Sequence, residues 1–350
     1  MLRIEVIEDI SRKSDLASAW VDLHLHSPQA HPFHSLPWVY SWLETRRQVG
    51  QLKILAFYNG KDLVGIFPLR EVRRAWAATE QIGIGSSDVL SPLTAPGYGS
   101  KVAEAFADWA QNRLLHLQQV RQGDPLLDAF PNIHHHAQAE CPVLTLPGTM
   151  EEYIGTLSKS LRYDVRKGLK SNPDIRAATP DTVQEDLEIF FKLHEMRWKT
   201  KKQLGAFALG GLKRFHRVSA PAMVQAGLLR LLTLRSEGRP IGSLYCFRAG
   251  TGMFFYQSGF DPQEKSKNPG TTLIAHAVRM AIDDGCKVFD FLRGAEPYKL
   301  RWGPQDILHN YRILVPGLSA GGRLAERCNL FGAHWEKKIR SKLEGTSKNS

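Results

Sequence analysis

Apolar positions along the chain run through the same order twice. In the first round, Arg3–Ile7 reads as a short strand, and helical spacing follows over 15–27 and 36–47. Residues 52–57 and 63–72 are β-rich runs flanking Tyr58-Asn59-Gly60-Lys61, an Asn-Gly hairpin signal. A further strand over 81–85, a helix over 101–115 and a strand over 117–120 complete the round. Pro-containing segments then carry the chain to Leu146-Pro147-Gly148.

The second round opens with its own helix. Over 152–171, Ile154, Leu157, Leu161, Val165 and Leu169 recur at helical spacing and predict one amphipathic helix. A strand over 175–178, helices over 183–202 and 211–227, and three antiparallel strands over 228–236, 241–249 and 253–259 come next. A helix over 271–284 then ends at Gly285. A strand over 288–292, a short helix over 297–302, a closing strand over 307–315 and a terminal helix over 319–343 finish the chain. Two passes through strand, two helices, meander, helix and strand predict a duplicated α/β unit, although the halves share no evident sequence identity.

Composition narrows the class. With 350 residues, 43% of them hydrophobic and 23% charged, the chain is long enough for two or three cores and unlike a disordered, collagen-like or coiled-coil protein. No stretch has the ~18–20 apolar residues of a membrane helix, and the acidic N-terminus does not resemble a signal peptide, so a cytoplasmic protein is expected. The cysteines Cys141, Cys246, Cys286 and Cys328 show no metal-binding or redox spacing and read as reduced and buried. His134-His135-His136 reads as a polar loop, since adjacent imidazoles cannot converge on one ion, and no metal is expected. Charge is uneven: residues 1–150 hold 13 basic and 15 acidic residues, whereas 151–350 hold 33 and 20. A positive field over the second part suits a phosphate-bearing partner or a merely solvated surface.

Particular residues carry a resemblance. Glu195-Met196-Arg197-Trp198, Ser258-Gly259-Phe260-Asp261-Pro262, Asn268-Pro269-Gly270 and the run from Phe289 to Gly303 (FDFLRGAEPYKLRWG) resemble acyltransferases of the GNAT superfamily in the CelD-like, cellulose-biosynthesis-type family, and more distantly the Fem-type aminoacyltransferases. The motifs cover about 150–317; the first half agrees only in layout. The resemblance implies an α/β (α+β) fold of tandem GNAT-like domains, each a mixed, largely antiparallel sheet flanked by helices. It divides the chain into a first domain over 1–150, a catalytic domain over 151–318 and a tail over 319–350. It also implies an acetyl-CoA or other acyl-CoA donor, with the reactive cleft in or facing the second domain.

Acyl transfer from a thioester needs a neutral nucleophile, donors for the carbonyl oxygen and a proton for the departing thiolate. The loop Lys265, Ser266, Lys267, Asn268, Pro269, Gly270 before a helix beginning Thr271-Thr272 is the expected phosphate cradle, because free helix N–H groups and lysines attract anions. It has one glycine where the GNAT loop usually has two. Tyr298 sits where GNAT enzymes often place the leaving-group acid. Asp290, between Phe289 and Phe291, needs a partner or a cleft, and Arg293 is read as that partner; Arg293, Lys299 and Arg301 then form a basic rim. His194 or Glu195, beside Trp198 on the helix over 183–202, is a candidate base. Lys159, Arg162, Arg166, Lys167 and Lys170 form a cationic band opposite the apolar stripe, suited to donor phosphates, an anionic saccharide acceptor or tRNA.

The expected activity is direct acyl transfer from acyl-CoA to an amine or hydroxyl of a small molecule or saccharide. Fem-like transfer from aminoacyl-tRNA is the alternative within enzymes. A non-catalytic scaffold and a nucleic-acid-binding protein are the alternatives outside them.

Overall fold

The computed structural model describes residues 1–10, 14–46, 50–73, 77–171, 173–200, 205–208 and 210–316. The expected terminal helix over 319–343 and Cys328 lie outside the described residues. The first half contains β1 (Arg3–Ile7), α1 (Ser14–His26), α2 (Leu36–Thr45), β2 (Gln51–Asn59), β3 (Asp62–Arg73), β4 (Ala77–Gln81), β5 (Leu93–Thr94), α3 (Gly99–Ala110), β6 (Leu115–Arg121), α4 (Pro125–Asp128) and β7 (His135–Thr145). Helices α5 (Met150–Thr156) and α6 (Lys159–Lys170) lead to the second half. It contains β8 (Asp174–Ala177), α7 (Val183–Lys199), α8 (Gly210–Gln225), β9 (Leu229–Ser236), β10 (Arg239–Ala249), β11 (Gly252–Phe260), α9 (Pro269–Asp283), β12 (Val288–Asp290), α10 (Pro297–Leu300) and β13 (Asp306–Val315).

Local chemistry explains most boundaries. The turn between β9 and β10 holds Glu237 and Gly238 at φ 52° and 76°, the two left-handed residues a tight hairpin needs. The single helix expected over 152–171 is two. Ser158 takes an extended conformation and its hydroxyl accepts from Leu161 N, starting α6 afresh, while Thr149 and Glu152 close a capping box on α5. The strand expected over 81–85 lies earlier, at Ala77–Gln81. His134–His136 leads into the unforeseen strand β7 rather than a loop.

The strands form one sheet in the order β1-β2-β3-β4-β6-β13-β7-β12-β11-β10-β9-β8, with β5 paired to β3 off this path. This order is palindromic under duplication: β1 corresponds to β8, β2 to β9, β3 to β10, β4 to β11, β6 to β12 and β7 to β13. The parallel pairs β4–β6 and β11–β12 match, and the remaining pairs are antiparallel. Each half gives its last strand to the other. β13 lies between β6 and β7 instead of closing the second half, and β7 pairs with β12. The halves therefore share their central strands.

One face of the sheet carries α1, α2, α7 and α8 around a core drawn from both halves. There Trp38 of α2 meets Phe215 of α8 edge-to-face at 4.7 Å and donates its indole N–H to Ser87 Oγ at 2.9 Å. Such an aromatic pair adds ~0.5–1.5 kcal/mol beyond burial. The opposite face carries α5, α6 and α9 over the second half and α3 over the first.

Candidate active site

The parallel pair β11–β12 is short. It holds only Gly252–Val288, Met253–Phe289 and Phe254–Asp290 in register. Beyond that the strands part. β11 continues beside β10 to Phe260, whereas Phe291 N and Gly294 N donate to Pro142 O and Glu140 O along β7. Leu292 takes φ 54°, a left-handed turn that redirects the chain. β11 also bulges at the gap: Tyr245 pairs with Gln257 and Cys246 with Phe255, leaving Tyr256 as the extra residue. Among the described residues no hydrogen bond joins 257–260 to 291–294.

The corresponding place in the first half is filled. Gln118 follows the last β4–β6 pair, and its N–H donates to Gln81 Oε1 at 3.0 Å, while Gln81 Nε2 donates to Leu90 O and Gln118 O at 3.0 Å each. Gln119 repeats the left-handed turn of Leu292, with φ 53°.

Above the open gap, α9 starts without a side-chain cap. Asn268 is left-handed (φ 49°), Pro269 has no N–H to satisfy, and an added Cβ on Gly270 would meet nothing within 4 Å. The Gly270 and Thr271 amides therefore begin a helix of 15 residues whose positive dipole end is open. Lys265 is exposed here, but Lys267 Nζ is drawn back to Ser236 Oγ at 3.0 Å and Glu264 at 2.9 Å. Thr272 is buried against Gly168, where a Cβ would come within 3.1 Å of its Oγ1, so it seats α9 on α6.

At the gap itself, Arg197 of α7 donates to the hydroxyl and carbonyl of Ser258. Its guanidinium lies 5.2 Å from the Phe260 ring centre and 5.3 Å from that of Tyr298. Tyr298, on α10, is half-buried, and its phenol is pushed well above the ordinary value, mainly by burial and then by Glu296. It is therefore protonated at neutral pH. Arg197 was legible in the sequence only as part of Glu195–Trp198, and its place between two aromatic rings needed the fold.

Other expected residues fall elsewhere. Asp290 pairs with Arg121 of β6 at 2.9 Å and accepts from Leu292 N at 2.7 Å; it does not pair with Arg293, which pairs instead with Asp88 at 2.5 Å. Both pairs cross between the halves, so a partner sought three residues away could not be found. The expected basic rim does not form. Lys299 is 3% exposed and turns inward to cap the Arg293 and Gly294 carbonyls at 2.7 and 3.0 Å, and Arg301 lies 3.7 Å from Asp164 of α6.

His194 is buried, and its Nε2 accepts from Trp198 Nε1 at 2.8 Å; burial, then the Arg197 charge, lowers its pKa to about 4. It is thus neutral, with its single ring lone pair already engaged. Glu195 is exposed between Lys199 and Lys213. On α6, Arg162 donates to the Gly155 and Leu157 carbonyls at the end of α5, and Arg166 lies 3.5 Å from Glu151. Lys159, Arg166, Lys167 and Lys170 remain exposed, with Tyr163 exposed among them. Among the described residues there is no group of three metal-ligating side chains, and no helix is long and apolar enough to cross a membrane.

Residues 157–300 match the acetyltransferase (GNAT) domain family. The match spans α6 to α10 and so contains the strand divergence and the start of α9. No curated protein matches the sequence. Among solved structures, FemX superposes with TM-score 0.66 at 10% identity, over 89% of this chain and 97% of that one. The C-terminal domain of a lysylphosphatidylglycerol synthetase from Agrobacterium fabrum, itself described as putative, gives 0.56 at 10% identity over 89% and 94%. L-PGS from Bacillus licheniformis gives 0.52 at 12% identity over 83% and 95%. At these identities the likeness is one of fold. The chain has a GNAT-type acyltransferase fold, a mixed α/β architecture with a large mixed sheet flanked by helices.

Proposed function

We propose that the protein transfers an acyl group from acyl-CoA directly to an amine or hydroxyl of a small-molecule or saccharide acceptor, at the divergence of β11 and β12 in a catalytic domain over 151–318. The observation that carries this is the open, bulged gap between those strands on the side where α9 presents uncapped amides. A pantetheine arm lies in such a gap as an added strand, with its pyrophosphate at the Gly270 and Thr271 amides and beside Lys265. Unpaired β11 amides face the thioester carbonyl and hold its oxygen as charge develops. Tyr298, protonated at neutral pH, donates to the sulfur as the C–S bond breaks, and the proton the acceptor's N–H or O–H loses as its bond to the acyl carbon forms returns through water to the phenolate; Arg197 fixes the phenol's approach and the end of β11. The first domain, with Gln81 filling its own gap, supports the second and supplies central strands. His194 positions Trp198, since the single lone pair of its neutral ring is already engaged.

The exposed basic face of α6, with Tyr163 as an aromatic platform among lysines, favours a second reading in which the donor is an aminoacyl-tRNA. FemX and the lysylphosphatidylglycerol synthetases share the fold. Thermal melts with acetyl-CoA, longer acyl-CoAs and free CoA decide between donors. A ligand at 100 times its Kd adds about 2.7 kcal/mol and raises the midpoint. No shift with any CoA species, together with steeply salt-dependent tRNA binding, replaces the first reading with the second.

A further inference from the structure

The exchange of β7 and β13 brings charged side chains from both halves together at the centre of the sheet. Arg121, on β6, is 7% exposed, and its Nη2 donates to Asp290 Oδ2. Among the described residues its Nε and Nη1 have no hydrogen-bond partner. Whichever Nη2 hydrogen goes to Asp290, one full edge of the planar guanidinium, with two parallel N–H groups, stays free. Buried donors without partners are costly, the more so when charged, so a site of this kind is completed by something that accepts.

Other groups converge there. Asn310 of β13 stands directly opposite Arg121 in the strand register; its Nδ2 donates to Asp88 O and Gln119 Oε1, and its Oδ1 has no partner among the described residues. Arg293, held by Asp88, keeps 36% of its side chain exposed although it follows a central strand, so the cluster extends to the surface at the Arg293 guanidinium. Asp290 ends β12 and is the register partner of Phe254, which places Arg121 at the base of the strand divergence. Phe289 and Phe291 on either side of Asp290 pack into the core beneath α9, whereas Phe254 and Leu292 pack into the core of the opposite face. The cluster and the α9 terminus therefore serve opposite faces of the same gap.

We propose that this cluster at the junction of the halves is the floor of the acceptor site, and that it binds acceptors through a carboxylate gripped by the free edge of Arg121 when Arg293 swings aside. This rests on the acyltransferase reading and names its acceptor class. Two arginines against two aspartates leave the cluster neutral overall, which suits a monoanion; Asp88 and Asp290 disfavour a phosphate dianion. A carboxylate matches the fork of a guanidinium in two parallel bonds. Asn310 Oδ1 beside it accepts an N–H or O–H of the same ligand, which aligns the molecule.

The probe is sodium propionate, with propionamide as its uncharged isostere, titrated onto the full chain by saturation-transfer NMR at constant ionic strength. Propionate is expected to bind saturably, propionamide at least tenfold more weakly, and Arg121→Lys, which keeps the charge on Asp290 but loses the fork, to weaken propionate at least tenfold. Should Arg121→Lys fail to fold, Arg121→Met with Asp290→Asn removes both charges while keeping an acceptor for Leu292 N–H, and the same loss is expected. Equal binding of both probes, no saturable propionate binding, or binding unaltered by either variant overturns the proposal. Acetyl-CoA melts on the same samples separate the two ideas. A donor that binds without any propionate site removes the acceptor site alone; a propionate site in a protein that shifts with neither CoA nor tRNA removes the acyltransferase reading, and with it the acceptor role, and leaves Arg121 as a carboxylate site only.

Discussion

Gly259→Ala tests whether α7 is seated on β11 as closely as the proposed site requires. A Cβ at Gly259 would lie 2.3 Å from His194 N, 2.6 Å from Leu193 C and 2.7 Å from His194 Cα, all of them backbone atoms. Ordinary carbon contacts begin near ~3.5 Å, so α7 must retreat by about 1 Å along its whole contact with β11. Overpacking costs ~1–3 kcal/mol, and a rigid helix on one side and a strand on the other put this substitution at the upper end, about 3 kcal/mol. The retreat also pulls Arg197 away from Ser258, so turnover should fall with stability. Gly211→Ala is the control: it lies in α8, meets nothing within 4 Å, and should be neutral or stabilising by up to ~1 kcal/mol. Urea denaturation followed by far-ultraviolet circular dichroism reads both. A Gly259→Ala protein within 0.5 kcal/mol of wild type would refute the close seating of α7 and the placement of Arg197 that depends on it.

Three other outcomes follow from the same geometry. Tyr298→Phe should lower kcat at least tenfold with donor Kd unchanged, measured by steady-state turnover and calorimetry; unchanged turnover removes the acid role. Burial holds His194 at about 4, and His34 and His216 at about 3, in the folded protein, against about 6.5 when unfolded. The folded state binds fewer protons below pH 6.5, so stability is level above that pH. It should fall as pH drops from 6.5 towards 4, by up to ~1.4 kcal/mol per unit for each histidine. Denaturation midpoints flat from pH 7 to 4.5 would contradict this. Finally, Cys141, Cys246 and Cys286 are buried, and burial pushes the Cys141 thiol up to about 12, so none of the three should react with a thiol reagent in the native protein, whereas all three should react in denaturant; mass spectrometry of the labelled peptides checks it, and labelling of any of them in the native protein contradicts it.

The sequence disclosed what is local. Strand and helix order followed from apolar spacing, turn residues and caps, and the duplication was visible in that order and is matched by the palindromic sheet. The loop before α9 was legible because Asn268-Pro269-Gly270 announces a helix start. Long-range pairing was not legible. Nothing in the spacing of Asp290 and Arg293 announces that their partners stand at Arg121 and Asp88, in the other half, because strand exchange decides it. Lys299 reads as a surface charge beside Arg301, yet its ammonium caps carbonyls inside, a role fixed by the turn at Leu292 and Gly294. β7 was missed because its histidines and Pro142 obscure the alternation that marks a strand.

Hydrogen–deuterium exchange with and without saturating acetyl-CoA tests the central claim most directly. If the gap between β11 and β12 receives the donor, slowing of amide exchange concentrates in 256–272 and 291–300 and spares the filled gap around Gln81 and Gln118. Slowing confined to the first half, or to neither strand, contradicts the account.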